Sequence, residues 1–251
     1  MASFEPVRFG KYQLIDKIAT GGMAEVYKAK SYGVAGFEKL LVIKRILPHL
    51  SRNPDFVKMF INEAKIAVSL NHANIVQVYD LGVVGADYYM AMEFIHGQDL
   101  MRVCRLGKKK KRFVPIHLGV YVITEVARGL DYAHQLCDPG GRPLHVVHQD
   151  VSPHNVLISY EGDVKLVDFG IARVGSLSEE MGGGRIAGGK FAYMAPEQAR
   201  GDAVDHRSDI FSAGILLFEL ATGQRLYRAK SRKDKLQQVC AAEIPRPRDA
   251  N

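Results

Sequence analysis

The sequence predicts an α+β fold, with a strand-rich N-terminal third and a helix-rich remainder. Residues 27–30 and 39–46 are extended, β-prone runs that are separated by a glycine-containing turn. Farther along, Phe56, Phe60 and Ala64 recur at intervals of four, as the apolar face of a helix does. This change of period marks a helix that follows a group of strands.

The remaining elements follow from the same two periods. Strands are expected at residues 75–79 and 88–94, long helices at 116–136 and 209–220, and short strands at 146–147, 156–158 and 164–167. A hinge is expected near residues 93–97. The expected domains are therefore residues 1–94 and residues 95–251.

The composition is that of a folded chain. Of the 251 residues, 47% are hydrophobic and 24% are charged, which allows a sizeable core and argues against global disorder. The three cysteines, Cys104, Cys137 and Cys240, form no CxxC pair, which argues against a disulfide framework or a structural zinc site. There is no apolar signal core, and no apolar run reaches the roughly 18 residues of a membrane span. The chain is therefore expected to be cytoplasmic.

The formal net charge of +7 is concentrated in one basic run, KKKKR at residues 108–112. The run lies between two apolar stretches, so a surface loop is expected there. Short basic runs match nucleic-acid sites only loosely, and no nucleic-acid partner is expected.

Three short motifs occur in order in the second half of the chain. They are HQDVSPHN at residues 148–155, DFG at 168–170 and APE at 195–197. The aspartate of the second motif follows an apolar strand, where its carboxylate could present oxygen to a hard cation such as magnesium.

Four further features fit the same order. The sequence has ATGGMAEV at residues 19–26, LVIK at 41–44, Glu63 on the following helix and Asp209 in DIFSAG. Together the seven features resemble the catalytic domain of eukaryotic-type protein kinases, in particular the bacterial Hanks-type serine/threonine kinases of a myxobacterial-like branch. The resemblance implies a two-lobe kinase fold with ATP bound between the lobes, and protein substrates.

The resemblance also implies roles for single residues. Lys44 would hold the α- and β-phosphates of ATP, and Glu63 would fix Lys44 in place. Asp150 would orient the substrate hydroxyl and accept its proton, and Asn155 and Asp168 would bind Mg²⁺. The residues implied to contact ATP are Ala19, Thr20, Gly21, Gly22, Met23, Ala24, Val26, Val42, Lys44, Met92, Glu93, Ile95 and Leu157.

The sequence departs from the family pattern in its loops. Ala19 and Ala24 replace two glycines of the phosphate loop, and a stiffer loop is expected because alanine is disfavoured at positive φ. Gln149 replaces an arginine that pairs with a phosphorylated activation segment. Activation through a single phosphosite is therefore less expected here, and Ser176 and Ser178 stay open as sites of phosphorylation.

The family continues beyond this sequence with further helices, one of which supplies an arginine to the residue at Glu197. The second domain is therefore expected to be incomplete and the chain to be part of a longer protein, with room for a membrane span or a sensor domain. Two alternatives to a protein kinase stay open. One is a pseudokinase that binds nucleotide without turnover, and the other is a kinase of small molecules or lipids.

Ser152 stands where the family has a lysine near the transferring phosphate, and Lys190 stands where it has a threonine. In the family fold these positions face each other, so Lys190 is expected to supply the missing ammonium group and to act in catalysis.

If Lys190 supplies this charge, Lys190→Ala should lower turnover markedly and leave ATP affinity nearly unchanged. Lys190→Thr combined with Ser152→Lys should recover much of the loss, which a double-mutant cycle would measure. Parent-like turnover of Lys190→Ala would refute the exchange of roles.

Overall fold

A computed structural model describes residues 4–169, 190–229 and 231–250. The chain forms two compact units. The N-terminal unit contains the described residues up to Asn71 together with Val76–Phe94, and the C-terminal unit contains His72–Ile75 together with those from Ile95 onward.

The N-terminal unit is built on an antiparallel sheet of six strands in the order β1-β2-β3-β4-β6-β5. The strands are β1 Val7–Phe9, β2 Tyr12–Thr20, β3 Ala24–Tyr32, β4 Glu38–Ile46, β5 Val78–Val84 and β6 Asp87–Glu93. Its helix, α1, is Pro54–Ser69. The side chain of Asn53 caps this helix by accepting a hydrogen bond from Asp55 N at 3.0 Å, and Pro54 occupies its first turn.

One face of the sheet is filled by a single apolar cluster. Its buried members are Phe9, Tyr12, Leu14, Tyr27, Ala29, Leu41, Ile43, Tyr89 and Ala91. Because successive side chains of a strand point to opposite faces, the residues between these positions belong to the other face. The face opposite the apolar cluster is called the second face, and its side chains are available for other contacts.

The C-terminal unit is mainly helical. Its helices are α2 Leu100–Lys109, α3 Ile116–His134, α4 Pro196–Arg200, α5 His206–Thr222 and α6 Arg232–Ala241. A small antiparallel sheet contains β7 Gly97–Asp99, β8 Val156–Ser159 and β9 Val164–Leu166. Short 3₁₀ turns lie at Val34–Gly36, Lys190–Tyr193 and Pro247–Asp249.

Helix α5 is the central helix of this unit, and α3 packs against it. Asp205 caps its start by accepting a hydrogen bond from Arg207 N at 2.9 Å. It ends at Gly223, whose φ of 67° is the left-handed conformation that favours glycine at this position. Most of its side chains are buried, as expected for a helix that is apolar on nearly all sides.

The sequence-based assignment was wrong in three places. Residues 146–147 are not a strand, because two apolar residues also fit a buried coil. Strand β5 begins at Val78, and Ile75 instead makes an isolated bridge to Leu166 in the C-terminal unit. The first two lysines of the basic run are the last turn of α2 rather than loop.

None of the helices in the described ranges has both the length and the hydropathy that a bilayer crossing requires.

Glu25 on β3 is the centre of a polar cluster on the sheet. It accepts hydrogen bonds from Lys17 Nζ at 2.6 Å, Arg45 Nη2 at 2.6 Å and Tyr27 Oη at 2.8 Å. Burial by itself would raise the pKa of Glu25, but the bonds from Arg45, Lys17 and Tyr27 outweigh it and hold the pKa at about 2.

Glu25→Gln should therefore lower the free energy of unfolding at neutral pH. The pKa of Glu25 is about 2 in the folded chain against an ordinary value of 4.5, so its contribution is present above pH 4.5 and is lost as the pH falls toward 2. The difference in the free energy of unfolding between parent and variant, measured by denaturant unfolding, should disappear over that pH range. Glu161→Gln, at a largely exposed carboxylate, is the control, and a gap that is constant with pH would contradict the assignment.

Candidate active site

The glycine-containing turn of the N-terminal unit joins β2 and β3. Gly21 N donates to Ala24 O at 2.8 Å, which closes the turn. Gly22 lies at its exposed tip, where an added Cβ would meet no atom within 4 Å. Ala19 and Ala24 lie in the paired strands and not at positive φ, so the expected stiffening by a left-handed alanine was wrong.

The second face of the sheet carries several of the predicted ATP contacts. Directly paired residues of antiparallel strands share a face. Val26 is paired with Ala19 and with Lys44, and Val42 is paired with Met92. Lys44 and Val42 are two residues apart on β4, so all five side chains lie on the face opposite the apolar cluster.

Lys44 and Glu63 form an ion pair in the N-terminal unit. Lys44 Nζ lies 3.1 Å from Glu63 Oε1, and the side chains are only 15% and 13% exposed. Helix α1 therefore approaches the second face of the sheet and holds the ammonium group there. Partial burial reduces the screening that makes exposed pairs worth only about 0–1 kcal/mol.

The end of β6 carries the residues predicted to meet adenine. Met92 is buried. Glu93 N donates to Gln77 O at 2.9 Å, so this N–H is not available as a donor to adenine. Of the other predicted ATP contacts, Thr20 ends β2 and Met23 lies in the exposed turn. Ile95 and Leu157 belong to the C-terminal unit, Ile95 just after β6 and Leu157 in β8.

In the C-terminal unit, the carboxylate of Asp209 organises the segment HQDVSPHN. Asp209 is 1% exposed and accepts hydrogen bonds from His148 N and Gln149 N, both at 2.8 Å. His134 Nε2, at the end of α3, lies 2.8 Å from the same carboxylate. One buried charge thus fixes two consecutive peptide groups just before Asp150.

Asn155 folds back onto Asp150. Its Nδ2 donates to Asp150 O at 2.9 Å and to Asp150 Oδ2 at 3.0 Å. With both amide hydrogens used, Asn155 Oδ1 remains as an acceptor that receives no hydrogen bond from the described residues. Asn155 therefore positions one carboxylate and keeps one oxygen for a further ligand.

The DFG segment is tied to the same loop. Val167 N donates to Asn155 O at 3.0 Å, which places the residue before Asp168 next to Asn155. Asp168 has a φ of 58°, a left-handed turn at the strand end. The rings of His148 and Phe169 lie 4.4 Å apart, and burial lowers the pKa of His148, which keeps its ring neutral. His148 thus packs against Phe169 in the interior of this unit.

The proposed exchange between Ser152 and Lys190 is only partly described. Lys190 begins the 3₁₀ turn Lys190–Tyr193, but its side chain lies outside the described part of the chain. Ser152 is 1% exposed. Because larger side chains at buried positions are often destabilising, the Lys190→Ala variant is a more direct test than Ser152→Lys. Gly170, Ser176 and Ser178 also lie outside the described residues.

Several residues that support the loop were missed by the sequence analysis. Gln198 Oε1 accepts from Ala195 N at 2.9 Å, and its Nε2 donates to Gln149 O at 3.0 Å. Glu197, predicted to need an arginine, accepts a hydrogen bond from Ser208 Oγ. The signal for Gln198 was present, because a glutamine three residues after a helix N-cap often bonds back to the cap. Nothing local marked Ser208.

The acidic groups in the described ranges do not form a closed metal cage. Among the described residues, no three His, Cys, Asp or Glu side chains are grouped to hold a metal ion. Mg²⁺ in phosphoryl-transfer sites is usually held by one or two protein oxygens together with water and phosphate. The donor set of Asn155 and Asp168 suits that mode of binding.

Comparisons with known proteins show the family of this chain. A family model described as protein kinase domain matches residues 12–249. Tyrosine-protein kinase MasK of Myxococcus xanthus is 44% identical over 96% of the chain, and serine/threonine-protein kinase PrkC of Bacillus subtilis is 33% identical over 94%. The chain spans 37% and 34% of the length of these two relatives.

A solved structure of a protein kinase domain has a similar fold. A crystal structure of the Mycobacterium tuberculosis PknI kinase domain has a TM-score of 0.67 to this chain and 26% sequence identity. The match covers 92% of this chain and 79% of that one.

Asp209→Asn should destabilise the chain, because an amide group cannot accept from all the donors that face the carboxylate. Hydrogen bonds to charged groups are each worth about 1.5–3 kcal/mol, so thermal unfolding should show a clear fall in midpoint. Asp205→Asn is the matched control, since it makes the same change at the exposed cap of the same helix, where asparagine serves equally well. Equal midpoints for both variants would show that Asp209 is not the anchor.

Proposed function

Because the chain belongs to the protein kinase domain family, we propose that it transfers the γ-phosphoryl group of ATP to serine or threonine hydroxyls of protein substrates, with Mg²⁺ as the cofactor. Phosphoryl transfer depends mainly on positioning and charge neutralisation, and the described residues offer groups suited to both. The substrates and the signalling context belong to the same proposal.

The observation that carries the proposal is the pair formed by Asp150 and Asn155. The carboxylate of Asp150 is held by Asn155 Nδ2 at 3.0 Å, in a loop whose backbone is fixed by Asp209. A residue that orients a hydroxyl group and accepts its proton must hold its carboxylate in one orientation. An aspartate that only caps a turn does not need its carboxylate and its loop backbone to be held by further hydrogen bonds of this kind.

The residues suited to the metal are Asn155 and Asp168. Oδ1 of Asn155 is left as an acceptor, and Asp168 turns at the strand end that Val167 N ties to Asn155 O. When bound, Mg²⁺ would neutralise phosphate charge. The role of the chain is to supply hard oxygen ligands on two segments that are hydrogen-bonded to each other.

The residues suited to ATP are on the second face of the N-terminal sheet. Apolar Val26, Val42 and Met92 offer contacts for the base, and Lys44 offers a cation for the phosphates. The ion pair with Glu63 holds the ammonium group of Lys44 on this face. The glycine turn leaves room for phosphate, since no side chain occupies its tip at Gly22.

The choice of acceptor rests on sequence alone. Pro153 and the APEQ ending favour serine and threonine, and the name of PrkC agrees, whereas MasK is named a tyrosine kinase. Matched peptides that differ only in Ser, Thr or Tyr would decide this point. If phosphate were transferred to tyrosine alone, the proposed serine and threonine acceptors would be wrong, and the rest of the proposed mechanism would be unaffected.

We also place the domain in the cytoplasm, where ATP is available. All three cysteines are free thiols, which suits a reducing compartment.

Asp150→Asn should abolish transfer and preserve ATP affinity, because the amide cannot accept the hydroxyl proton. Asp168→Asn should abolish transfer by weakening Mg²⁺ binding. Loss of such groups lowers turnover by roughly 100-fold or more. Turnover with labelled ATP and a generic protein substrate, together with ATP affinity by calorimetry with and without Mg²⁺, separates the two effects.

Asp202→Asn, at an exposed carboxylate paired with Arg200, is the control and should behave like the parent. Near-normal turnover of Asp150→Asn would refute its catalytic role. ATP binding without turnover in the parent would favour the pseudokinase, and transfer only to small molecules or lipids would favour the other alternative.

A further inference from the structure

The C-terminal unit contains a cavity of about 770 Å³ between α2, the end of α5 and the segment that follows α5. Met101, Cys104, Leu216 and Leu220 are among the apolar side chains that line it. Burial raises the pKa of the Cys104 thiol, so this group is neutral near pH 7. The walls therefore suit a bulky apolar side chain.

Cations surround this cavity. Arg105, Lys108 and Arg112 line it and are exposed, and none of the three forms an ion pair with another described residue. Among the described lining residues, Glu219 is the one carboxylate. It accepts from Tyr193 Oη at 2.8 Å and lies 3.7 Å from Arg225 Nη1, so its charge is already compensated.

The backbone turn at the end of α2 brings two residues of the basic run to the rim of the cavity, where the exposed cations lie. Lys110 N and Arg112 N both donate to Gly107 O, at 3.0 and 2.8 Å. Lys111 has a φ of 53°, which turns the chain back on the end of α2. Lys108 and Arg112 consequently line the cavity, whereas Lys109 and Lys110 do not.

The cavity adjoins the loop that carries Asp150. Pro153 lines it, and Met101 N donates to Pro153 O at 2.9 Å. Pro153 lies three positions after Asp150 in the sequence, so their Cα atoms lie within roughly 11 Å of each other. A segment seated in the cavity would thus lie close to the acceptor site.

We propose that this cavity docks an acidic segment of the protein substrate, with one bulky apolar side chain inside and Asp or Glu residues paired with the rim. The proposal rests on the kinase function above and names its substrate class. The rim favours anions, and the apolar lining favours a peptide over RNA, because RNA would place its charge along an open basic track rather than around one apolar cavity.

The test is binding of a short fluorescein-labelled peptide that has Glu and Asp around one Leu and contains no hydroxyl side chain. Fluorescence anisotropy should show saturable binding that weakens as salt is added. Arg105→Glu combined with Lys108→Glu should weaken binding about tenfold or more, because two attractive pairs become repulsive. Leu→Ser in the peptide should weaken binding by a similar factor.

Arg102→Glu combined with Lys109→Glu is the matched control. It makes the same charge change on the same helix at exposed residues that do not line the cavity, and should leave the affinity nearly unchanged. Thermal unfolding of both double variants verifies that they fold. Equal weakening by both, or indifference to Leu→Ser, would overturn the proposal. Equally tight binding of a lysine-rich peptide or of single-stranded RNA would do the same.

This binding test is independent of turnover, so it distinguishes the two proposals. Asp150→Asn should bind the peptide as the parent does. If the kinase proposal fails, no acceptor is phosphorylated, yet peptide binding still reports on the cavity. If only the docking proposal fails, a serine-containing acidic peptide is phosphorylated with the same KM by the parent and by the Arg105→Glu/Lys108→Glu variant.

Discussion

The buried carboxylate of Asp209 is the constraint on which the candidate site residues of the C-terminal unit depend. It accepts hydrogen bonds from the N–H groups of His148 and Gln149 and lies beside His134, so it has three polar partners. A buried carboxylate is tolerated only when its lone pairs are satisfied. The loop therefore has one backbone path past α5, and Asp150 follows it.

The hydrogen bonds to Asp209 also affect the segments on either side of the loop. Gln149 has a φ of 61°, a left-handed conformation that is held on one side by Asp209 and on the other by Gln198. Asn155 then closes the loop onto Asp150 and onto the strand end before Asp168. The acid, the amide and the second acid are thus parts of one hydrogen-bonded arrangement, which is why a single substitution at Asp209 would affect all of them.

In the N-terminal unit the corresponding constraint is the alternation of the sheet. One face must be apolar to form the core around Tyr27 and Ile43, and the other face is then left for Val26, Lys44 and Met92. A shift of one residue in register would move Lys44 into the core. The register that makes the core also places the lysine toward Glu63.

Much of the site could be predicted from sequence because its residues lie in short contiguous motifs. Asp150 and Asn155 are five positions apart, and Asp168 follows a recognisable strand. The supporting contacts were harder to see. His134 reaches Asp209 from a position 75 residues away, and nothing local distinguishes it from another histidine at a helix end. The cavity was not predicted either, since its lining comes from α2, α5, α6, a 3₁₀ turn and several connecting segments.

The sequence by itself determined the α+β class, the order of the main elements, and the motif residues Lys44, Asp150, Asn155 and Asp168, because periodicity and motif spacing are local properties of the chain. Tertiary structure decided which polar groups meet: Lys44 with Glu63, the loop with Asp209, and the cations of the basic run with an apolar cavity. These contacts depend on how helices and strands pack, and packing joins residues that are far apart in the chain. The five adjacent charges of the basic run are equivalent in sequence. The end of α2 and the turn after it decide that Lys108 and Arg112 line the cavity.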